Sequence, residues 1–452
     1  MRCLIALASL AAVAMCAITA DEITSLPGWS GALPSKQYSG YLSFGSKHLH
    51  YWFVESQSNP ATDPVVAWFN GGPGCSSLEG YLYEHGPFHV NPADTTQLYY
   101  NNYTWTQSAS IIYIEAPAGV GFSYADTKAD YNTNDQQTAA DNLAALEVFF
   151  QGYPEYANNN FFIAGESYAG IYVPTLAYAI YEATQAGTTS INLKGIAVGN
   201  GCTGTEVGIC SAQYSNQIHL TYFYNHALIS NKAWANLQTG CNNWMDMNSP
   251  ACNLAILAAS NEIGAVNIYD IYAPCINGNE AVQNSSFFAK TGMPKLPVGG
   301  PDECIDSIAA SAYLNQAVVQ AALHVKPAPS GAWSVCGNVI QYTSTVKNEP
   351  RDYYPTLIKN YHVLIFNGDA DGCVPYIDNE AWTQNMNYPV KEGWRPWIVD
   401  QQVAGYVTLY DTPTNFQFAT VKGAGHMVPQ YAPPQALALF QAFISGNTLP
   451  SV

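Results

Sequence analysis

Three short segments place a nucleophile, an acid and a base in glycine-rich surroundings. Gly165-Glu166-Ser167-Tyr168-Ala169-Gly170 sets a serine between glycines, after the apolar run Phe161 to Gly165 and ahead of a helical pattern. A strand-to-helix turn of this kind bends sharply and leaves the serine hydroxyl exposed, as a nucleophile elbow requires. An ordinary turn with a helix-capping serine has the same spelling, and the strand context favours the nucleophile. An attacking serine needs a base, and the base needs an acid to orient it; after such an elbow they follow as Asp or Glu, then His. Asn367-Gly368-Asp369-Ala370-Asp371-Gly372-Cys373-Val374-Pro375 ends a late apolar run, and Gly423-Ala424-Gly425-His426-Met427-Val428-Pro429 follows another. Asp371 is favoured over Asp369 because it stands three residues before Val-Pro, which leaves Asp369 to structure the turn. His426, with glycines clearing space around its ring and its place after Asp371, is the candidate base among nine histidines.

The segment Trp68-Phe69-Asn70-Gly71-Gly72-Pro73-Gly74-Cys75-Ser76-Ser77 follows an early strand, where an α/β-hydrolase fold carries its oxyanion loop. One N–H from this loop and one from Tyr168 would meet a developing oxyanion, a contribution of about 3 kcal/mol per donor. A phosphate loop is excluded, because the segment has neither the Lys-Ser/Thr of a P-loop nor G-x-G-x-x-G spacing.

These residues need a scaffold that brings strand ends together. Val65 to Phe69, Ile111 to Glu115, Phe161 to Gly165 and Gly195 to Asn200 read as strands, with helices over Asp135 to Phe150 and Tyr168 to Gln185. The alternation predicts a mostly parallel sheet. The stretch 202–304, rich in cysteine, reads as an inserted cap between core parts 21–201 and 305–452. Beyond it a helix is expected near Tyr313 to His324, a strand at His362 to Asn367, a strand ending near Lys422, and a last helix from Pro433 to Ser445.

Composition bounds the partners. The 452 residues include 15 Lys plus Arg against 33 Asp plus Glu, a net charge of -18. That balance opposes broad contact with nucleic acid or anionic lipid. Residues 1–20 read as a signal peptide, an apolar run after Met1-Arg2, and no later stretch is long and apolar enough to span a membrane. Setting aside Cys3 and Cys16 leaves nine of the 11 cysteines, an odd number in an exported chain. Asn102 and Asn284 head glycosylation sequons.

Taken together, Asn70 to Ser77, Gly165 to Gly170 and Gly423 to Pro429 resemble the serine carboxypeptidase family, and the likeness runs from about Leu26 to Leu449. Further segments share it: Gln37 to Leu42, Lys47 to Ser56, Ser110 to Tyr124 and Asn267-Ile268-Tyr269. The resemblance implies a triad of Ser167, Asp371 and His426, an oxyanion hole from the Gly72 and Tyr168 amides, and a site for the substrate's terminal carboxylate made by Asn70, Gly71, Glu84 and Glu166. It places Glu79, Tyr83 and Met427 at the pocket for the leaving residue. It also implies disulfides Cys75–Cys336, Cys241–Cys252 and Cys275–Cys304. Cys202 and Cys210 lie outside these pairs and can bridge each other, leaving Cys373 as the odd thiol. The stretch between Cys275 and Cys304 is shorter than in lysosomal members of the family, which argues against maturation into two chains.

Three functions fit this reading: release of single C-terminal residues from peptides or proteins through an acyl-enzyme, transfer of the acyl group to an alcohol, and a protective binding role. The complete triad disfavours pure binding, while hydrolysis and transfer differ only in what attacks the acyl-serine. No cofactor or metal is expected, a homodimer stays open, and the destination is the secretory pathway, lysosome/vacuole or outside the cell. Carboxyl crowding at Glu84 and Glu166 implies an acidic optimum, and the aromatic richness, with Tyr83 and Met427, implies hydrophobic leaving residues, while Glu79 leaves a basic one open.

Overall fold

The structure, a computed structural model, describes residues 20–264, 266–275 and 307–451. The expected signal peptide up to residue 19, the sequon at Asn284, and Cys304 of the expected Cys275–Cys304 pair lie outside them.

The ten long strands of the main sheet are β1 (Gln37–Phe44), β2 (Lys47–Val54), β3 (Val65–Phe69), β4 (Ser110–Ile114), β5 (Phe161–Glu166), β6 (Leu193–Gly199), β7 (His362–Gly368), β8 (Val390–Val399), β9 (Gln402–Tyr410) and β10 (Phe416–Val421). Their order is β1-β2-β4-β3-β5-β6-β7-β10-β9-β8. The pairings from β4 to β10 are parallel, and the antiparallel hairpins β1–β2 and β8–β9 close the two sides.

Both faces of the central strands are buried, so the strands run largely apolar rather than alternating. Along β3, Val65, Ala67 and Phe69 join one core with Phe161, Ile163, Val363 and Ile365. The intervening Val66 and Trp68 join the opposite core with Phe162, Ala164, Leu364 and Phe366. Helices α1 (Asp135–Gly152) and α2 (Ala169–Gln185) cover the first face through Leu146, Phe149, Val173 and Leu176. Between β6 and β7 the chain leaves the sheet and forms α3 (Ser215–Asn225), α4 (Asn231–Gly240) and α5 (Pro250–Ile263). These build a separate cluster around Phe223, Leu237 and Ile256, stapled by Cys241–Cys252.

The helix expected near Tyr313 to His324 is two helices, α6 (Ile308–Leu314) and α7 (Ala317–Ala322). Asn315 makes the break: its Nδ2 donates to Trp333 O (2.9 Å) and its Oδ1 accepts from Trp333 N (2.8 Å), so the side chain pairs with the Trp333 backbone. The chain then continues through α8 (Tyr376–Asn385) and ends in α9 (Pro433–Ile444), whose Leu439, Phe440 and Phe443 cover the second face.

One buried carboxylate ties the loop after β3 to this frame. Glu115, fully buried just after β4, accepts from Ser76 Oγ and, at 2.8 Å, from Trp333 Nε1 through Oε1. Its Oε2 meets His50 Nδ1 and Phe122 N, each at 2.8 Å. Ser76 N donates to Val335 O, next to the Cys75–Cys336 disulfide. Removing one partner from such a network strands the others away from water. Glu115→Ala is therefore expected to lower unfolding free energy by about 3 kcal/mol or more in urea titrations. A loss under about 1 kcal/mol would contradict that role.

Candidate active site

Because the central strands are parallel, their C-terminal ends share one edge, where ligands of open α/β sheets bind. β3 runs into Asn70, β5 into Ser167, β7 into Asp371, and β10 into the turn before His426.

Ser167 has φ of +65°, a left-handed conformation costly for a residue with a side chain and held only where packing over-determines it. Its N donates to Gly199 O (3.0 Å), and its O accepts from Gly170 N (2.9 Å) and Cys202 N (3.0 Å). At Gly170 a Cβ would stand 2.3 Å from Cys202 O, so glycine is required there by close approach. The same holds for Gly71, where a Cβ would stand 2.3 Å from Tyr168 N. The glycine-rich loop thus lies against the amide that follows Ser167. The loop is held in turn by the Cys75–Cys336 disulfide.

Asp371 is fully buried and receives four donors: His426 Nδ1 (2.7 Å) and Asn200 Nδ2 (2.7 Å) on Oδ2, Val374 N (3.1 Å) on the same oxygen, and Cys373 N (2.7 Å) on Oδ1. Asp369 turns elsewhere; its Oδ1 accepts from Gly423 N (2.6 Å). With Nδ1 donating to Asp371, His426 presents Nε2 as an acceptor. That atom is buried and makes no hydrogen bond among the described residues. Bonds between a nucleophile and its base are often long before substrate binds.

Asn70 is oriented by Trp68 Nε1 (2.8 Å) and Gly80 N (3.1 Å), both donating to its Oδ1. Its Nδ2 then donates to Glu84 Oε1 and Glu166 Oε1, each at 3.0 Å. Burial raises the pKa of both glutamates, and for Glu166 the neighbouring Glu84 and Glu79 charges add to the effect. Glu79 is pushed up to about 8 by burial, with Glu84 contributing. Two carboxyls on one amide cannot both ionise away from water, so the pair retains a proton.

Ser167, His426, Tyr168, Asn70, Gly71, Gly72, Glu79, Glu166 and Met427 line one cavity of about 300 Å³. Glu84 is not among its lining residues and bears on it through Asn70. Tyr83 is not a lining residue either; its hydroxyl accepts from Ala310 N (2.9 Å) at the start of α6. Three disulfides are present among the described residues, Cys75–Cys336, Cys241–Cys252 and Cys202–Cys210, and Cys373 keeps a buried thiol. Asn102 is exposed.

Sequence reasoning missed three contributors. Asn200 anchors Asp371, and a polar residue closing an apolar parallel strand was its only signal. Tyr269 packs its ring against His426 at 5.1 Å between centroids, and its backbone O accepts from His426 N (2.7 Å). Asp135, at the start of α1, accepts from the Tyr168 (2.9 Å) and Tyr342 (2.8 Å) hydroxyls and from Val346 N (2.7 Å).

A central parallel sheet covered by helices, with a serine on a strained strand-to-helix turn and an Asp–His pair at neighbouring strand ends, defines an α/β-hydrolase. The family model for serine carboxypeptidases matches residues 27–446. The chain belongs to the serine carboxypeptidase family. It is 40% identical to the mouse (Mus musculus) lysosomal protective protein, over 94% of each chain. It is 36% identical to barley (Hordeum vulgare) serine carboxypeptidase 1, over 95% of this chain and 93% of that one. Among solved structures, the prohormone-processing carboxypeptidase Kex1(Δ)p of Saccharomyces cerevisiae shares the fold, with a TM-score of 0.73, 21% identity, and coverage of 94% and 96%. No helix of the described residues is long and apolar enough to cross a membrane.

The raised Glu79 has a consequence for stability. An unfolded glutamate titrates near about 4.3, so between there and about 8 the folded chain holds a proton that the unfolded chain has released. The stabilisation this gives is complete below the unfolded value and is lost as pH rises through the folded one. Burial lowers the pKa of His85 and His362, and their opposing contribution ends above about 6.5. From pH 6.5 to 8, Glu79→Gln should show a flatter decline in unfolding free energy than the wild type, by up to about 1.4 kcal/mol per pH unit. Equal slopes in urea titrations would refute the buried neutral Glu79.

Proposed function

We propose that this enzyme releases single residues from peptide C-termini at acidic pH through an acyl-Ser167 intermediate. His426 takes the Ser167 proton as the hydroxyl attacks the last peptide bond, Asp371 orients the imidazole, and the Gly72 and Tyr168 amides receive the oxyanion. His426 then returns the proton to the leaving amine, and water repeats the attack on the acyl-enzyme.

The observation that carries this reading is the proton-sharing carboxyl pair on Asn70, beside Ser167 and His426. A free carboxylate brought to Asn70, Gly71 and Glu166 meets a carboxyl donor beside the Gly71 amide only while the pair is protonated, and is repelled once the pair ionises. An ester tail or an amide has no use for such a site. Glu79 and Met427 would meet the leaving side chain, so at acidic pH, with Glu79 neutral, hydrophobic residues are preferred; basic ones gain as Glu79 ionises. The disulfides suit an oxidising compartment, and the exposed Asn102 sequon suits glycosylation. A lysosomal or vacuolar destination agrees with the acidic optimum. We take residues 202–304 as a cap inserted in the hydrolase core.

Ser167→Ala and His426→Ala should each cut turnover by at least about 10⁴-fold, and Asp371→Asn by a comparable factor, while Asp369→Asn keeps most activity. More than about a tenth of normal activity in Ser167→Ala, or greater damage from Asp369→Asn than from Asp371→Asn, would refute the assignment.

The carboxyl pair is tested with matched peptides bearing free or amidated C-termini, with products followed by mass spectrometry. KM for the free acids should rise as pH increases through the pair's titration, whereas the amides keep their KM. Glu84→Gln with Glu166→Gln should flatten the rise by supplying neutral donors. An equally steep rise in the double variant would contradict the shared-proton site.

A further inference from the structure

Asp135, the first residue of α1, is buried and stands outside the lining of the cavity. A carboxylate at a helix start needs no further reason than the helix dipole, but this one is taken up by donors from elsewhere in the chain. Oδ1 accepts from the Tyr168 hydroxyl (2.9 Å) and the Tyr342 hydroxyl (2.8 Å). Oδ2 accepts from Thr345 N (2.5 Å), Val346 N (2.7 Å) and Thr345 Oγ1 (3.2 Å). The short strand Gln341–Thr343 pairs in parallel with Asn132–Asn134, the residues that lead into α1. One carboxyl therefore joins three pieces of chain: a helix start, the segment 342–346, and the residue that follows Ser167.

Tyr168 is where these bonds reach the chemistry. Its amide stands ahead of α2, outside the helical ladder, and donates to no backbone carbonyl among the described residues. Its partner is the oxyanion of the reaction proposed above, on which this inference rests. A donor aimed at developing charge must be held within about 10–20° of its target. The peptide plane that carries this one is anchored at its carbonyl edge, where Ser167 O receives Gly170 N and Cys202 N. The Tyr168 side chain holds the amide edge. Its ring meets Tyr172 and Tyr342 edge-on, at 5.4 and 5.7 Å between centroids, and its hydroxyl is fastened to Asp135.

We propose that Asp135 is a positioning residue for the oxyanion hole: by tying the Tyr168 hydroxyl to the start of α1, it aims the Tyr168 amide at the oxygen that becomes negative in the transition state. Asp135 touches no substrate. Tyr168→Phe cuts the tether and leaves the segment 342–346 on Asp135, so it isolates this role from the general support of the cavity wall.

The test compares a blocked phenylalanine aldehyde with the matching alcohol as inhibitors, beside turnover of a blocked dipeptide ending in Phe-Leu. With the aldehyde, Ser167 Oγ bonds to the carbonyl carbon, the serine proton passes to His426, and the carbonyl electron pair goes to the oxygen in the hole. The alcohol forms no adduct. Tyr168→Phe should lower kcat about tenfold or more with KM within about threefold, part of the 10²–10³-fold that loss of a whole donor costs. Its preference for the aldehyde over the alcohol should fall by the same factor, because only the aldehyde resembles the transition state. Asp135→Ala should lower both at least as far, and adding Tyr168→Phe to it should cost no more than about twofold further. A role confined to the fold would weaken both inhibitors alike. Tyr168→Phe at wild-type kcat, an unchanged aldehyde-to-alcohol ratio, or losses that multiply in the double variant would overturn the proposal. Should Asp135→Ala fail to fold, Tyr168→Phe alone must show both losses, and their absence is equally fatal. A wild-type enzyme that binds the aldehyde no better than the alcohol would overturn the acyl-Ser167 reading, and this inference with it.

Discussion

The backbone turn at Ser167 is the constraint on which the site depends. A serine at φ of +65° persists only because its surroundings leave it no alternative. Its amide is bonded to the end of β6, and its carbonyl receives the amides of Gly170 and Cys202. The loop after β3 is pressed against Tyr168 so closely that Gly71 has no room for a side chain. The turn therefore fixes several things at once: the exposure of the hydroxyl, the direction of the following amide, and the separation of the glycine-rich loop from both. The parallel sheet supplies the remainder by ending β7 and β10 at the same edge, so that Asp371 and His426 meet at 2.7 Å.

Charge distribution divides the buried carboxyls of the site into two kinds. Asp371 is buried, and four donors surround it. Glu84 and Glu166 are also buried but share a single amide, so burial and mutual repulsion keep a proton between them. Two kinds of buried carboxyl thus share the site, one surrounded by donors and one set against another carboxyl. Under the proposed function, one orients a base and the other meets the incoming carboxylate. Separation of roles by local environment is how one fold runs acid and base chemistry side by side.

Much of this was legible in the sequence, for physical reasons that differ by element. The central strands declared themselves because burial on both faces leaves continuous apolar runs. The motif residues stood out because glycine at close approaches is a visible demand. The edge hairpins were not read as strands. β8 contains Lys391, Glu392, Gly393 and Pro396 and pairs through register shifts, so neither alternation nor apolar content marks it. In β1 and β2 the same residues that carried the family likeness also carried a hairpin around Gly45. The split between α6 and α7 was hidden because Asn315 breaks the helix through a contact with Trp333, distant in sequence. Asn200, Asp135 and Tyr269 are legible only as a strand end, a helix start and part of the family likeness, because each acts by orienting another residue and no local spacing records that.

The central claim is that Ser167 is an activated nucleophile whose reactivity comes from His426. Labelling with a fluorophosphonate, followed by intact mass measurement and peptide mapping, reads this without assuming any substrate. The account predicts one adduct, on the peptide containing Ser167, and labelling slowed by at least about 10³-fold in His426→Ala. An adduct on another residue, or a His426→Ala variant that labels at the wild-type rate, would contradict it.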